Sequence, residues 1–255
     1  MRLRIKLVLV FCAGWLISGG VGIAGETYVG PPGGLQVYLL IGQSNMAGRA
    51  PIEEGDKDVM PRCYLLDGEG IWVPAANPLN IHSSIRKGAG MQRLGPGYSF
   101  AQQMLAAEPG MSIGLVVNAK GGTKIDQWGK GTAFYDEAVR RAKQAQETGA
   151  LAGILWHQGE SDNANPSGYA EKLTQLIADL RADLGIPTLP FVAGEVRQQL
   201  TAINAEIAKL PQLSLHTAVA SSEGLTTFDG THFDNASAKV LGARYAEAIL
   251  KLQAR

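Results

Sequence analysis

Leu35-Gln36-Val37-Tyr38-Leu39-Leu40-Ile41 runs straight into Gly42-Gln43-Ser44-Asn45-Met46. The first seven residues are a short apolar run of the kind that forms a buried strand. Gly42 lets the chain turn sharply, and a helix is expected to begin at Ser44. The same alternation recurs downstream. Strands are expected at 112–118, 151–156, 189–193 and 213–220, and helices at 98–107, 134–148, from 167 or 168 to 184, 201–210 and 235–252, the last capped by Asn235. Residues 49–96, rich in Gly, Pro and Asn, read as a long irregular stretch. Short continuous apolar strands interleaved with helices predict one α/β domain, a mainly parallel sheet of five strands with helices on both faces. In such sheets ligands bind at the carboxyl ends of the strands. Ser44, Gly121, Gln158, Glu195 and Asp229 all follow expected strands directly or closely.

The composition sets outer limits. At 255 residues the chain is long enough for a sizeable core. Lys+Arg and Asp+Glu are equal at 23 each, so no basic field points to nucleic acid and no acidic tail to disorder. The balanced charge and the lack of a long exposed apolar stripe make a monomer the default. Arg2, Arg4 and Lys6 precede an apolar stretch at 7–17 that is too short to span a bilayer comfortably, followed by small residues. This reads as a signal peptide over residues 1–25, cleaved near Ala24 or Gly25. It would leave a single domain at 26–255, exported to the periplasm or the medium and free of the membrane. An uncleaved anchor is the competing reading. After cleavage Cys63 is the remaining cysteine, so no internal disulfide can form. Cys63 reads as a small buried apolar residue.

Three polar blocks carry chemistry. A serine hydroxyl needs a base to take its proton, an imidazole does this well, and a carboxylate holds the imidazole in the right tautomer. Ser44 sits after the first strand, and Asp229-Gly230-Thr231-His232 supplies a carboxylate and an imidazole three residues apart. A helix start at Ser44 also offers free N–H groups to an oxyanion. Ser44 could instead be a plain helix cap, and Asp229-Gly230 a plain turn. Gly121-Gly122-Thr123 allows close approach of a backbone N–H to a ligand, or is simply a turn. The third block is Trp156-His157-Gln158-Gly159-Glu160-Ser161-Asp162. The Gln158 amide could donate to an oxyanion, whereas Glu160 could orient backbone or bind a sugar hydroxyl. His157 and Glu160 do not make a His-Glu-x-x-His zinc pattern, so no metal is expected. In the stretch after Arg49, Trp72, Tyr64, His82 and Arg86 are candidate substrate contacts; Trp72 could equally cover the core. Trp128 is similarly ambiguous, and Arg86 and Arg93 could meet an acidic sugar or be solvated.

Gly42-Gln43-Ser44-Asn45-Met46, His157-Gln158-Gly159-Glu160-Ser161-Asp162 and Asp229-Gly230-Thr231-His232-Phe233 together resemble the motif blocks of SGNH-type hydrolases. More narrowly they resemble the sialate O-acetylesterase and acetylxylan esterase group, carbohydrate esterase family 6. The resemblance implies a flavodoxin-like three-layer α/β/α sandwich and a Ser-His-Asp esterase without metal or cofactor, acting on an acetylated carbohydrate. By position it makes Ser44 the nucleophile, His232 the base and Asp229 its partner. It places the oxyanion between the Ser44 backbone, Gly121 or Gly122, and Gln158; Gln43, Asn45, Glu160 and Trp72 are expected in substrate-binding or supporting roles. Gln158 stands where the broader SGNH pattern has asparagine. Two other readings share these residues: a general short-chain carboxylesterase or lipid deacylase, and a glycan-binding protein on an inactive hydrolase fold.

Overall fold

The computed structural model describes residues 27–28 and 34–254; the leader expected at 1–25 lies outside them. β1 (Leu35–Gly42) is the middle strand of a sheet that also holds β2 (Cys63–Leu66), β3 (Trp72–Pro74), β4 (Ser112–Ala119), β5 (Gly149–His157), β6 (Phe191–Gly194) and β7 (Thr217–Ala220). The spatial order is β3-β2-β4-β1-β5-β6-β7. Every pairing is parallel except β2 with β3.

Period-2 geometry explains why β1 is apolar throughout. Leu35, Val37, Leu39 and Ile41 enter the core beneath α3 (Ala133–Gln146) and α4 (Tyr169–Leu184). Tyr38 and Leu40 enter the opposite core, beneath α2 (Gly97–Ala107) and α7 (Asn235–Gln253). The sheet is thus the central layer of three. Leu173, Leu176, Ile177, Leu180 and Leu184 form the buried stripe of α4, which ends at Gly185 in the left-handed region (φ 72°). The remaining helices, α1 (Ser44–Ala47), α5 (Thr201–Ile207) and α6 (Leu210–Leu213), are one or two turns long. Among the described residues no helix is long and apolar enough to cross a membrane.

The sheet has seven strands, not five. β2 and β3 lie inside the stretch read as irregular. They are four and three residues long, set among glycines and prolines rather than between helical segments, and they form because β2 pairs with the start of β4. The last strand begins at Thr217; the apolar residues before it belong partly to α6, with Leu215 exposed. The cap of α7 is Asp234, whose carboxylate accepts the Ser237 N–H at 2.8 Å. Asn235 instead donates to Pro51 O at 2.8 Å and Asp56 Oδ2 at 2.6 Å. Trp72 is a core residue, 4% exposed. Its Nε1–H donates to Thr148 Oγ1 at 2.8 Å, beside the amino end of β5 and thus opposite the end where Ser44 follows β1. It is not a substrate contact. Tyr64 and Trp128 are likewise buried, and burial pushes the Cys63 thiol pKa up.

Candidate active site

The carboxyl ends of the three central strands are clasped together. The Gln43 N–H donates to His157 O at 2.8 Å, and the Lys120 N–H donates to Gly42 O at 2.9 Å. Gly42 adopts φ 129°, and a Cβ there would fall 2.2 Å from His157 O, so no side chain fits. The chain therefore leaves β1 hard against β5, and Ser44 becomes the first residue of α1, 7% exposed.

The loop before α7 brings an imidazole across to Ser44. His232 Nε2 lies 3.1 Å from Ser44 Oγ, 188 residues away in the chain. His232 Nδ1 lies 2.7 Å from Asp229 Oδ2. The other Asp229 oxygen accepts the backbone N–H groups of Thr231 at 2.9 Å and His232 at 2.7 Å. One carboxylate thereby fixes both the ring and the backbone of the histidine. Partial burial works against its charge, but the bonds from His232 and from the Thr231 N–H outweigh that and bring its pKa down to about 2. With Nδ1 donating to a carboxylate, Nε2 presents its lone pair to the serine hydroxyl.

Asn45 braces this loop from below. Its Oδ1 accepts the Phe233 N–H at 3.1 Å, and its Nδ2 donates to Thr231 O at 3.4 Å. The same Nδ2 donates to Glu160 Oε1 at 2.7 Å. Glu160 is buried against His157, Nε2 to Oε1 3.6 Å, beyond hydrogen-bond reach. Burial pushes the Glu160 carboxyl up, while the His157 ring and the Asn45 amide pull it below its usual value. Gln43, Asn45 and the Glu160 side chain are all buried beneath this loop. Among the described residues no three His, Cys, Asp or Glu side chains cluster to hold a metal ion.

Residues 34–251 match the protein family described as carbohydrate esterase, sialic acid-specific acetylesterase. The chain belongs to this family. A probable carbohydrate esterase of Arabidopsis thaliana is 33% identical over 178 residues, 62% of this chain and 67% of that protein. The X-ray structure of an Arabidopsis thaliana protein matches with a TM-score of 0.74 at 27% identity, over 87% of this chain and 99% of that one. The crystal structure of NanS shares the fold, with a TM-score of 0.71 at 16% identity over 89% and 99% of the two chains. This protein is accordingly a hydrolase of ester bonds, and O-acetyl removal from carbohydrate is its reaction class.

Within this esterase, one expectation needs revision. Gln158 is 0% exposed, and its amide nitrogen is already engaged by Gln43 Oε1 at 3.0 Å, Thr123 O at 2.8 Å and Asp162 Oδ2 at 2.6 Å. Two hydrogens shared among three acceptors leave none for a substrate oxygen. Gln158 instead ties the loop after β4 to the loop after β5, with Asp162 also accepting the Ile125 N–H at 3.1 Å. The two glycines separate as well. A Cβ on Gly121 would lie 3.4 Å from Ser44 Cβ, whereas one on Gly122 would meet the Lys87 ammonium at 3.5 Å. Trp128 Nε1–H donates to Thr123 Oγ1 at 3.0 Å and steadies that loop from the core.

Of the other expected contacts, Arg86 donates to Ser83 O at 2.6 Å and Arg93 to Gly90 O at 2.9 Å; His82 is partly buried, its pKa lowered by desolvation. Two residues beside the site escape sequence reading. Phe228, 51% exposed, stacks on the His232 ring with centroids 6.2 Å apart. Arg49 projects beside Gly121 and Ser44. Neither belongs to a spacing rule, although both adjoin a motif block. A groove of about 770 Å³ along β7 and α7 includes none of Ser44, Asp229 and His232.

Proposed function

We propose that Ser44 is the nucleophile, His232 the general base and Asp229 its orienting partner in removing O-acetyl groups from carbohydrate. The observation that carries this reading is the unbroken line Asp229 Oδ2–His232 Nδ1, 2.7 Å, and His232 Nε2–Ser44 Oγ, 3.1 Å. His232 takes the serine proton as Oγ attacks the acetyl carbonyl. The N–H groups of Ser44, at the start of α1, and of Gly121 receive the developing oxyanion. His232 then protonates the departing sugar oxygen, leaving acetyl on Ser44. A water attacks that ester with its proton passing to the same imidazole, and acetate leaves as serine regains its hydrogen. The half-exposed Phe228 ring supports a sugar ligand, since an aromatic face offers apolar area to the face of a pyranose. The mature protein works outside the cytoplasm as a monomer, on the strength of the basic and apolar leader and the balanced surface charge.

The test is acetate release from acetylated xylan, O-acetylated sialic acid, acetylated pectin and an aryl acetate, wild type beside Ser44→Ala. Release by wild type that is abolished in the variant is the expected result, and the best glycan names the substrate. Equal release by both proteins would remove Ser44 from the mechanism.

A further inference from the structure

A second imidazole, that of His157, closes β5 and is fully buried. From α7, the Tyr245 hydroxyl lies 3.3 Å from His157 Nδ1. That hydroxyl gives its own hydrogen to Trp156 O at 2.6 Å, so Nδ1 must be the donor toward Tyr245. Gly194, the last residue of β6, leaves room for this contact: a Cβ there would overlap the Tyr245 hydroxyl and lie 2.7 Å from Nδ1. On the other edge of the ring, Nε2 lies 3.6 Å from Glu160 Oε1. Neither His157 Nε2 nor Glu160 Oε2 makes a hydrogen bond to any described residue. The ring of Phe233, the residue after His232, meets the His157 ring edge-on with centroids 5.8 Å apart.

With Nδ1 donating, a neutral His157 would turn a bare Nε2 lone pair toward an acceptor-only carboxylate. A proton on Nε2 converts that repulsion into an attraction. We propose that His157 is held as an imidazolium paired with an ionised Glu160, and that this buried pair positions the loop carrying His232. Glu160 Oε1 accepts from Asn45 Nδ2 at 2.7 Å, which turns the amide so that Oδ1 receives the Phe233 N–H at 3.1 Å. A charge-assisted bond is roughly twice as strong as a neutral one, so an ionised Glu160 holds that amide more firmly than its neutral acid would. The titratable groups in contact with the ring are Glu160, from the loop after β5, and Tyr245, from α7. Burial drives the Tyr245 phenol well above its ordinary pKa, so its hydrogen stays on Trp156 O. Burial also works against the Glu160 charge, yet the His157 ring and the Asn45 amide hold that carboxyl below its usual value. His157 thus acts through Glu160 and Asn45 and is a positioning residue. That part of the proposal rests on His232 being the base of the reaction above.

The experiment reads the imidazole nitrogen resonances of nitrogen-15-labelled protein at neutral pH in wild type, Glu160→Gln and His157→Gln, the last identifying the His157 signals. Steady-state kinetics on 4-nitrophenyl acetate cover the same proteins, the His157→Gln/Glu160→Gln double variant and Ser44→Ala. Both His157 nitrogens are expected at protonated positions in wild type. In Glu160→Gln the new amide can donate to Nε2, and that nitrogen should lose its proton. His157→Gln leaves a buried carboxylate without its counter-charge and should lower kcat about tenfold, with KM within about twofold. Adding Glu160→Gln removes that charge and should recover most of the loss, a rescue that a merely space-filling histidine would not show. An unprotonated Nε2 in wild type overturns the pair. Wild-type kcat in folded His157→Gln, or a double variant worse than His157→Gln alone, overturns the positioning role. Should His157→Gln fail to fold, unchanged spectra of all 4 histidines in Glu160→Gln overturn the pair instead. Undiminished kcat in Ser44→Ala would sink the nucleophile reading and the positioning role with it, whereas the nitrogen spectra do not depend on which residue attacks.

Discussion

Asp229 holds His232 by ring and backbone at once, so its removal should damage orientation as well as charge. Asp229→Asn is expected to lower kcat by roughly 10³–10⁴-fold, through the wrong imidazole tautomer, at near-unchanged KM. Wild-type turnover in that variant would transfer the role to another carboxylate. The same residue sets an acid limit. Its folded pKa of about 2 lies below the unfolded value of about 3.9, so its stabilising contribution is complete above pH ~4 and is lost as the pH falls through about 2. Thermal melts between pH 4 and pH 2 should therefore fall less steeply in Asp229→Asn than in wild type. Asn45 gives a second handle. Asn45→Ala leaves Glu160 Oε1 and the Phe233 N–H without their partner, which costs about 1–3 kcal/mol of stability and lets the His232 loop drift. Its kcat should drop at least tenfold while KM holds; steady-state kinetics on the aryl acetate decide. The meeting of Ser44, Asp229 and His232 was legible in the sequence because motif blocks and a three-residue spacing are local facts. The surroundings of Gln158 were not, since its three acceptors come from three separate loops. Arg49 was hidden for a similar reason: its anchor at Met91 is 42 residues away.

At the scale of elements, the strands that were readable lie in continuous apolar runs between helical segments, even β6 and β7 at four residues each. β2 and β3 are short and sit among glycines and prolines, and they owe their existence to the neighbour β4. No propensity within four residues carries that information. The start of α7 shows a finer miss, since Asp234 and Asn235 are both good caps and only the geometry distinguishes them. Asp234 also accepts from the Thr226 hydroxyl, closing the loop that displays His232. Asp234→Ala should cost about 1 kcal/mol in urea unfolding, with a modest loss of kcat as the loop loosens. Asn235→Ala removes no cap, so its cost should come through the lost bonds to Pro51 and Asp56 instead.

Across the whole molecule, the buried Trp72 and the Ser44–His232 pair sit at opposite ends of the sheet. Trp72 fills the edge near the amino end of β5, its ring 2.7 Å from where a Gly114 Cβ would be. Trp72→Ala should therefore destabilise by about 3–5 kcal/mol, as a large cavity does, while the surviving folded enzyme keeps its KM. A raised KM at full stability would return Trp72 to the substrate. The parallel topology has a further consequence. Ser44 and His232 are separated by 188 residues, and the imidazole arrives only when the loop before the last helix is seated. A nascent, truncated or partly unfolded chain thus carries a harmless serine. Hydrolytic rate becomes a gauge of finished folding, and it should vanish along the same denaturant curve as the tertiary structure.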